Sequence, residues 1–177
     1  QSEDMEGEPL NDSGDAAVRF ENVNFSYEPG HPVIRDFTLT VPNGKKVALV
    51  GSTGSGKTTV VNLLMRFYDV DSGRICIDEQ DVTKVSRGSL RKAVAIVLQD
   101  TVLFSDTIRR NLQYANEGAA EEEIKKAAEM SRCSDMIELL PQGYDTMLSG
   151  AGENISQGQR QLLAIARAFV ADPRILI

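Results

Sequence analysis

One histidine, two cysteines and no long apolar run limit what this sequence can be. His31 is the only imidazole, so catalysis built on histidine has almost no material. Cys76 and Cys133 have neither metal-ligand spacing nor a histidine nearby, which leaves a zinc-type site without ligands. They read as two unpaired core thiols of a reducing compartment. No apolar run approaches the ~18 residues of a membrane-spanning helix, and Ala93–Leu98 is among the longest. No signal-peptide pattern opens the chain and no Met begins it, so it is expected to be a soluble piece of something longer.

Basic charge is scarce as well. The formal net charge is −7, but six of the 26 acidic residues lie in positions 1–17, where there is no Lys or Arg. The other 20 acids face 19 bases, so the body is near neutral and lacks the footprint of a nucleic-acid binder. Residues 1–17 read as an acidic linker or tail, with Gly7, Pro9 and Gly14 against regular structure. The remaining length fits one domain, with room for an inserted subdomain, and 41% hydrophobic residues suffice for a core.

What is present centres on Lys46–Val60. Val47–Val50 is an apolar run of strand length, and Gly51-Ser-Thr-Gly-Ser-Gly-Lys-Thr58 fits G-x-x-x-x-G-K-[ST]. Thr59, Val60, Val61, Leu63 and Leu64 continue at helical spacing. Strand, glycine loop and helix is the context in which this pattern binds phosphate. Gly51, Gly54 and Gly56 permit backbone angles and close approach that a Cβ forbids. The N–H groups of the loop then form an anion nest, reinforced by the positive end of the helix dipole. Lys57 is a mobile charge for the β- and γ-phosphates, and the Thr58 hydroxyl is placed for Mg²⁺. No Asn-Lys-x-Asp segment for reading a guanine base accompanies the loop.

Around that stretch the chain alternates between strand and helix patterns. Val18–Tyr27 and Val33–Val41 predict two antiparallel strands, joined by a turn at Glu28–Pro32. Arg74–Val82 predicts another strand, Leu90–Lys92 a short helix, and Ala93–Leu98 a fully buried strand ending at Gln99. From 101 to 148 the pattern is helical. Thr107 caps one helix, Ala120–Cys133 forms a second, and Ser134 or Asp135 caps a third before Pro141. Gly150–Asn154 reads as a flexible loop. Ser156 then opens an amphipathic helix with Leu162, Ile165, Ala166 and Phe169 as its buried face, and Arg174–Ile177 begins an apolar strand.

The phosphate loop, a Gln after the next buried strand, and Asn-Ile-Ser-Gln-Gly-Gln159 opening a helix ~100 residues downstream together resemble the ATP-binding cassette of ABC transporters. The resemblance covers Val18–Ile177, and Val97–Ile108 and Gly158–Arg167 are similar to exporter-type cassettes, often fused to a membrane domain. It implies an α/β fold: a P-loop NTPase core, a flanking antiparallel β subdomain and an inserted helical subdomain. In those terms, 1–17 is a linker, 18–99 the core with its β subdomain, 100–171 the helical subdomain ending in the signature helix, and 172–177 the start of the Walker B strand.

Carried over residue by residue, Tyr27 resembles the aromatic that stacks on adenine, with Ile34 flanking that pocket. Gly51, Ser52, Thr53, Gly54, Ser55, Gly56, Lys57, Thr58 and Thr59 match the Walker A loop that holds ATP and Mg²⁺. Gln99 matches the Q-loop glutamine, which contacts Mg²⁺ or the attacking water and senses the membrane domain. Ser156, Gly158 and Gln159 match the signature motif, although Gln157 stands where the family usually has glycine and Ile155 where it has leucine. A helix start there makes a second anion site, which the family resolves by a head-to-tail dimer of two cassettes. Lys57, Gln99 and Ser156 are thus the implied catalytic set, with Thr58 and Gln99 on the metal. The Walker B acids, catalytic glutamate and switch histidine match nothing up to Ile177, so these residues alone are expected to be inactive.

Three functions stay open on this reading. The first is the ATPase of an exporter at the cytoplasmic face of a membrane. The second is a regulatory or degenerate module that binds ATP without turnover. The third is a soluble cassette of DNA repair or translation, which the neutral body and the exporter-like residues after Gln99 disfavour.

Overall fold

The computed structural model describes residues 7–11, 17–98, 102–150 and 152–177. The chain divides into two compact units, Gln1–Val94 and Ala95–Ile177. The architecture is mixed α/β with an antiparallel sheet.

In the first unit, β1 (Val18–Glu28) and β2 (His31–Val41) form a hairpin, followed by α1 (Lys57–Leu64), β3 (Ser72–Ile77), β4 (Gln80–Asp81) and α2 (Arg87–Ala93). The sheet order is β2-β1-β3-β4, antiparallel throughout, and Val18 pairs with both Val41 and Ile77. The buried positions of β1 run Val18, Phe20, then Val23, Phe25, so the alternation slips by one residue. The slip is a bulge: the register shifts on both flanks, and Asn22 has φ 47°. Asn24 holds the distortion, accepting from the Asp36 N–H (2.9 Å) and donating to Ser72 Oγ (3.0 Å).

Three expectations for this unit are corrected. Arg74–Val82 is two strands, because Asp78 (φ 50°) and Glu79 (φ 67°) make a two-residue hairpin turn between them. Residues 46–50 form no strand. A run becomes a strand only when a neighbour takes its backbone groups, and no strand among the described residues pairs there. Val50 is accordingly 89% exposed rather than buried. Part of the acidic stretch is docked. Glu8 forms a parallel bridge with Val85, donating to Lys84 O and accepting from the Ser86 N–H (both 2.9 Å). Leu10 N–H donates to Ser89 Oγ (2.8 Å), and Gln80 accepts from the Asn11 N–H while donating to Pro9 O.

The second unit opens with β5 (Val94–Ala95), which straddles the division, and continues with α3 (Ile108–Gln113), α4 (Glu121–Met130), α5 (Ser134–Glu138), a 3₁₀ turn at Gly143–Asp145, α6 (Gln157–Val170) and β6 (Ile175–Leu176). Ile177 N–H donates to Ala95 O (2.9 Å) and Ile177 O accepts from the Val97 N–H (2.8 Å), the pattern of a parallel ladder. That ladder is short, so the predicted strand over Ala93–Leu98 is not realised as a buried element, and Leu98 is 64% exposed.

α6 packs on α3 and α4, and Leu103, Ile108, Leu112, Ile124, Ile137, Leu148 and Leu163 form a buried core. Thr107 caps α3 as expected, accepting from the Arg110 N–H (3.1 Å). Cys133, not Ser134 or Asp135, is the residue before α5; α4 starts at Glu121 and ends at Met130, with Cys133 past its end. Arg132 at φ 62° breaks the helical path between them. The buried face of α6 is Leu163, Ala166, Ala168 and Val170. Leu162, Ile165 and Phe169 are only partly buried, a rotation of the expected stripe by about one residue.

Candidate phosphate-loop site

Residues 51–56 curl ahead of α1, with 51–55 exposed and Gly56 buried. Gly54 has φ 82° with open space where a Cβ would stand, and Gly56 has φ 89°. A Cβ on Gly56 would come 2.7 Å from Ile34 Cδ1, the end of a side chain, so it is the left-handed angle that makes this turn need glycine. Gly56 is also the residue before α1 and brings no side chain to cap it. Gly56 therefore offers the first N–H groups of the helix, at the positive end of its dipole, no side-chain acceptor.

Lys57 closes the loop on itself. Its ammonium donates to Gly51 O (2.8 Å) and Ser52 O (2.7 Å), with Ser55 Oγ at 3.4 Å. A Ser55 N–H to Ser52 O bond of 3.2 Å tightens the same turn. Thr58 is exposed on the first turn of α1, and Thr59 beside it is buried. Among the described residues no three His, Cys, Asp or Glu side chains gather as a metal cluster.

Tyr27 and Ile34, distant in the sequence from the loop, are brought to it by the β1–β2 hairpin. Ile34 is buried against Gly56, and the Tyr27 hydroxyl lies 3.1 Å from Thr59 Oγ1. The Tyr27 ring is 47% exposed and stands perpendicular to two others, Phe25 at 4.9 Å and Tyr68 at 5.1 Å between centroids. Neither Tyr68 nor the Thr59 contact was foreseen from the sequence. Tyr68 follows α1 without periodic spacing that would mark it.

Ser156 is the residue before α6 and forms a reciprocal cap. Its Oγ accepts from the Gln159 N–H (3.2 Å), and Gln159 Oε1 accepts from the Ser156 N–H (2.8 Å). Gln157 and Gly158 are exposed beside it. The loop before it, read as flexible, is tied at several of its described residues. Asn154 accepts from the Ser149 N–H and donates to Met147 O, and Arg160 donates to Gly152 O and Ile155 O. The sequence signal for this was Asn154 and Arg160 themselves, polar residues with reach back across a glycine-rich turn.

Gln99 lies outside the described residues. Its downstream neighbours are held firmly: buried Asn111 accepts from the Phe104 N–H (2.8 Å) and donates to Phe104 O (2.9 Å). Arg167 donates to Val102 O (2.8 Å) with its guanidinium 5.5 Å from the Phe104 ring centre. Burial pushes that guanidinium below its usual pKa, though arginine remains charged.

The model of the ABC transporter family matches residues 34–177. The chain belongs to the ABC transporter family. Among its relatives is a fatty acid ABC transporter ATP-binding/permease protein of Mycobacterium bovis, 50% identical over 175 residues, covering 99% of this chain and 28% of that protein. Another is the mitochondrial iron-sulfur clusters transporter atm1 of Aspergillus fumigatus, 47% identical, with 98% of this chain and 24% of that protein covered. A bacterial Atm1-family ABC exporter solved with ATP bound superposes with TM-score 0.87 at 43% identity, over 95% of this chain and 29% of that one. This ABC transporter chain thus spans about a quarter of the length of the relatives it matches. No described helix is long and apolar enough to cross a membrane.

Proposed function

We propose that this chain is the ATP-binding domain through which an ABC exporter couples ATP binding and hydrolysis to transport across a membrane. The observation that carries the reading is the uncapped start of α1 behind a left-handed Gly56, with Lys57 folded over the loop. Such a cradle fits a polyphosphate: a helix start without a side-chain cap, a mobile ammonium, and no acidic residue in the first turn of α1 to repel it. Lys57 exchanges two neutral carbonyl acceptors for charged phosphate oxygens, and hydrogen bonds to charged partners are the stronger ones. Bound Mg²⁺ supplies charge neutralisation at the phosphates, and Thr58 and Gln99 are the residues that would hold it.

On this reading Tyr27 is the platform for adenine, and Ile34 fills the wall behind Gly56. Ser156, Gly158 and Gln159 meet the nucleotide of a second cassette in a head-to-tail pair, and an isologous pair makes two such sites. The Gln99 region meets the membrane domain, which places the chain at the cytoplasmic face. The acidic linker 1–17, the core 18–99, the helical part 100–171 and the strand begun at 172–177 then serve one engine.

The test is Lys57→Ala in a Mg²⁺–ATP titration. Losing a charge-assisted bond of about 1.5–3 kcal/mol raises the Kd about tenfold or more. Unchanged affinity in a folded variant would falsify the phosphate-site reading.

A further inference from the structure

Tyr27 can serve as a platform only if its ring is held. A tyrosine on the surface of a sheet loses side-chain freedom when a base stacks on it, and that loss opposes binding. In this structure the ring is clamped before anything binds. Its hydroxyl is 3.1 Å from Thr59 Oγ1, its ring stands at 84° to Phe25, and at 87° to Tyr68. Phe25 is a buried residue of the sheet core, and its burial accounts for it without reference to a ligand. Tyr68 is different. It is 47% exposed, lies outside any strand or helix, and its described ring contacts are with Phe25 (5.6 Å) and Tyr27 (5.1 Å).

We infer that Tyr68 is a positioning residue for the base of the bound nucleotide, acting through Tyr27. Edge-on aromatic pairs are favourable because ring edges are positive and faces negative, and the perpendicular arrangement fixes ring tilt as well as position. Tyr68 lies on the segment that follows α1, past its end at Leu64, so the chain leaving the helix whose start cradles phosphate supplies the residue that sets the base platform. Together with the Tyr27–Thr59 hydroxyl bond, this gives one link from α1 and one from the segment after it to the same ring. This inference rests on the reading of Tyr27 as the adenine platform.

The test uses the full chain and two probes, ATP and inorganic tripolyphosphate, which has the phosphates and no base. Tyr68→Leu is expected to weaken ATP about two- to tenfold, the loss of one aromatic pair, and to leave tripolyphosphate unchanged. Tyr68→Phe keeps the ring and restores ATP affinity. Tyr27→Ala weakens ATP, and adding Tyr68→Leu to it costs nothing further, because Tyr68 acts through the ring already removed. An additional loss in the double variant would overturn the inference by making Tyr68 a direct contact. Equal losses for ATP and tripolyphosphate would overturn it by making Tyr68 merely structural. If Tyr27→Ala weakens ATP and Tyr68→Leu does not, the inference fails while the platform reading stands. If Tyr27→Ala leaves ATP unchanged, the platform reading itself fails.

Discussion

The Tyr27 hydroxyl and Thr59 Oγ1 lie 3.1 Å apart, joining the first strand to the helix that follows the phosphate loop. Thr59 is only 5% exposed, so water cannot readily replace the tyrosine as its partner. Tyr27→Phe therefore removes a hydrogen bond and is expected to lower folding stability by about 0.5–1.5 kcal/mol, read in urea unfolding. Its ATP affinity should fall by no more than the few-fold expected for losing one of the two links that hold the ring, since stacking uses the ring and the Tyr68 contact remains. Tyr27→Ala should lose about 1–3 kcal/mol of stacking as well, roughly fivefold or more in Kd. Equal Kd values for the Phe and Ala variants would show that the ring is not the platform.

Ser156 caps α6 and, on the proposed function, also meets a partner's nucleotide. As the cap of α6 it satisfies the Gln159 N–H, so Ser156→Ala is expected to cost about 1 kcal/mol of stability, measurable by thermal unfolding. Its second role, toward a partner's nucleotide, is tested by Ser156→Arg. ATP binding by the monomer should persist, while ATP-driven dimerisation, followed by light scattering, should be lost. Abolished monomer binding would instead put α6 and the phosphate loop on one nucleotide.

Much of this was legible before the fold was known, and the reasons differ by residue. Residues 51–58 stood out in the sequence because their glycines fall at fixed offsets from a lysine and a hydroxyl, and the structure forms the turn and helix start that this pattern predicts. The bulge in β1 was visible as the slip from Val18 and Phe20 to Val23 and Phe25, although the sequence alone gave no reason to treat it as more than loose alternation. The Asp78-Glu79 turn was hidden, because neither residue is the Asn-Gly or Asp-Gly that such turns prefer. Val47–Val50 carries a strand's composition, yet composition does not supply the neighbour that makes a strand. Tyr68 was unreadable for a related cause: its contacts are with residues 25 and 27, and no local pattern encodes a partner that distant.

The two cysteines give a pH prediction. Both are buried, and burial is the leading cause that pushes each thiol above its usual pKa. In the unfolded chain they ionise near 8.5. Raised folded values mean that this contribution is fully present below that pH and is lost as pH rises above it, because the unfolded state releases its protons first. Stability should therefore fall above about pH 8.5 more steeply than in a Cys76→Ala/Cys133→Ala variant, in urea unfolding at each pH. Parallel curves would show that the thiols ionise equally in both states. Alkylation by iodoacetamide at pH 7.5 should likewise wait for unfolding, since the thiolate is the nucleophile.

The docked part of the linker gives the last prediction. Gly7 has φ 117°, and a Cβ there would meet Ser86 N at 2.7 Å and Lys84 O and Val85 C at 2.8 Å. These are backbone atoms, which cannot swing aside as the end of a side chain can. Angle and space both exclude a side chain, so Gly7→Val must push residues 7–11 off the segment they pair with. Lifting them breaks the Glu8 bonds to Lys84 and Ser86 and the Leu10 bond to Ser89. Ser86 also caps α2, so the loosened segment includes the start of that helix. Val85 and Leu90 beneath it are buried with the unit's other apolar residues. The expected result is local. Amide exchange at Glu8, Leu10 and Ser86 should quicken by about tenfold or more, the loss of hydrogen bonds worth about 1 kcal/mol each, while amides of β1 and β3 keep their protection. Protease should then cut within 7–11 in the variant and spare it in the parent. Unchanged exchange at Ser86 would mean that the linker does not pair there in solution, whereas loss of protection across β1 and β3 would make Gly7 part of the global fold rather than of a docked strap.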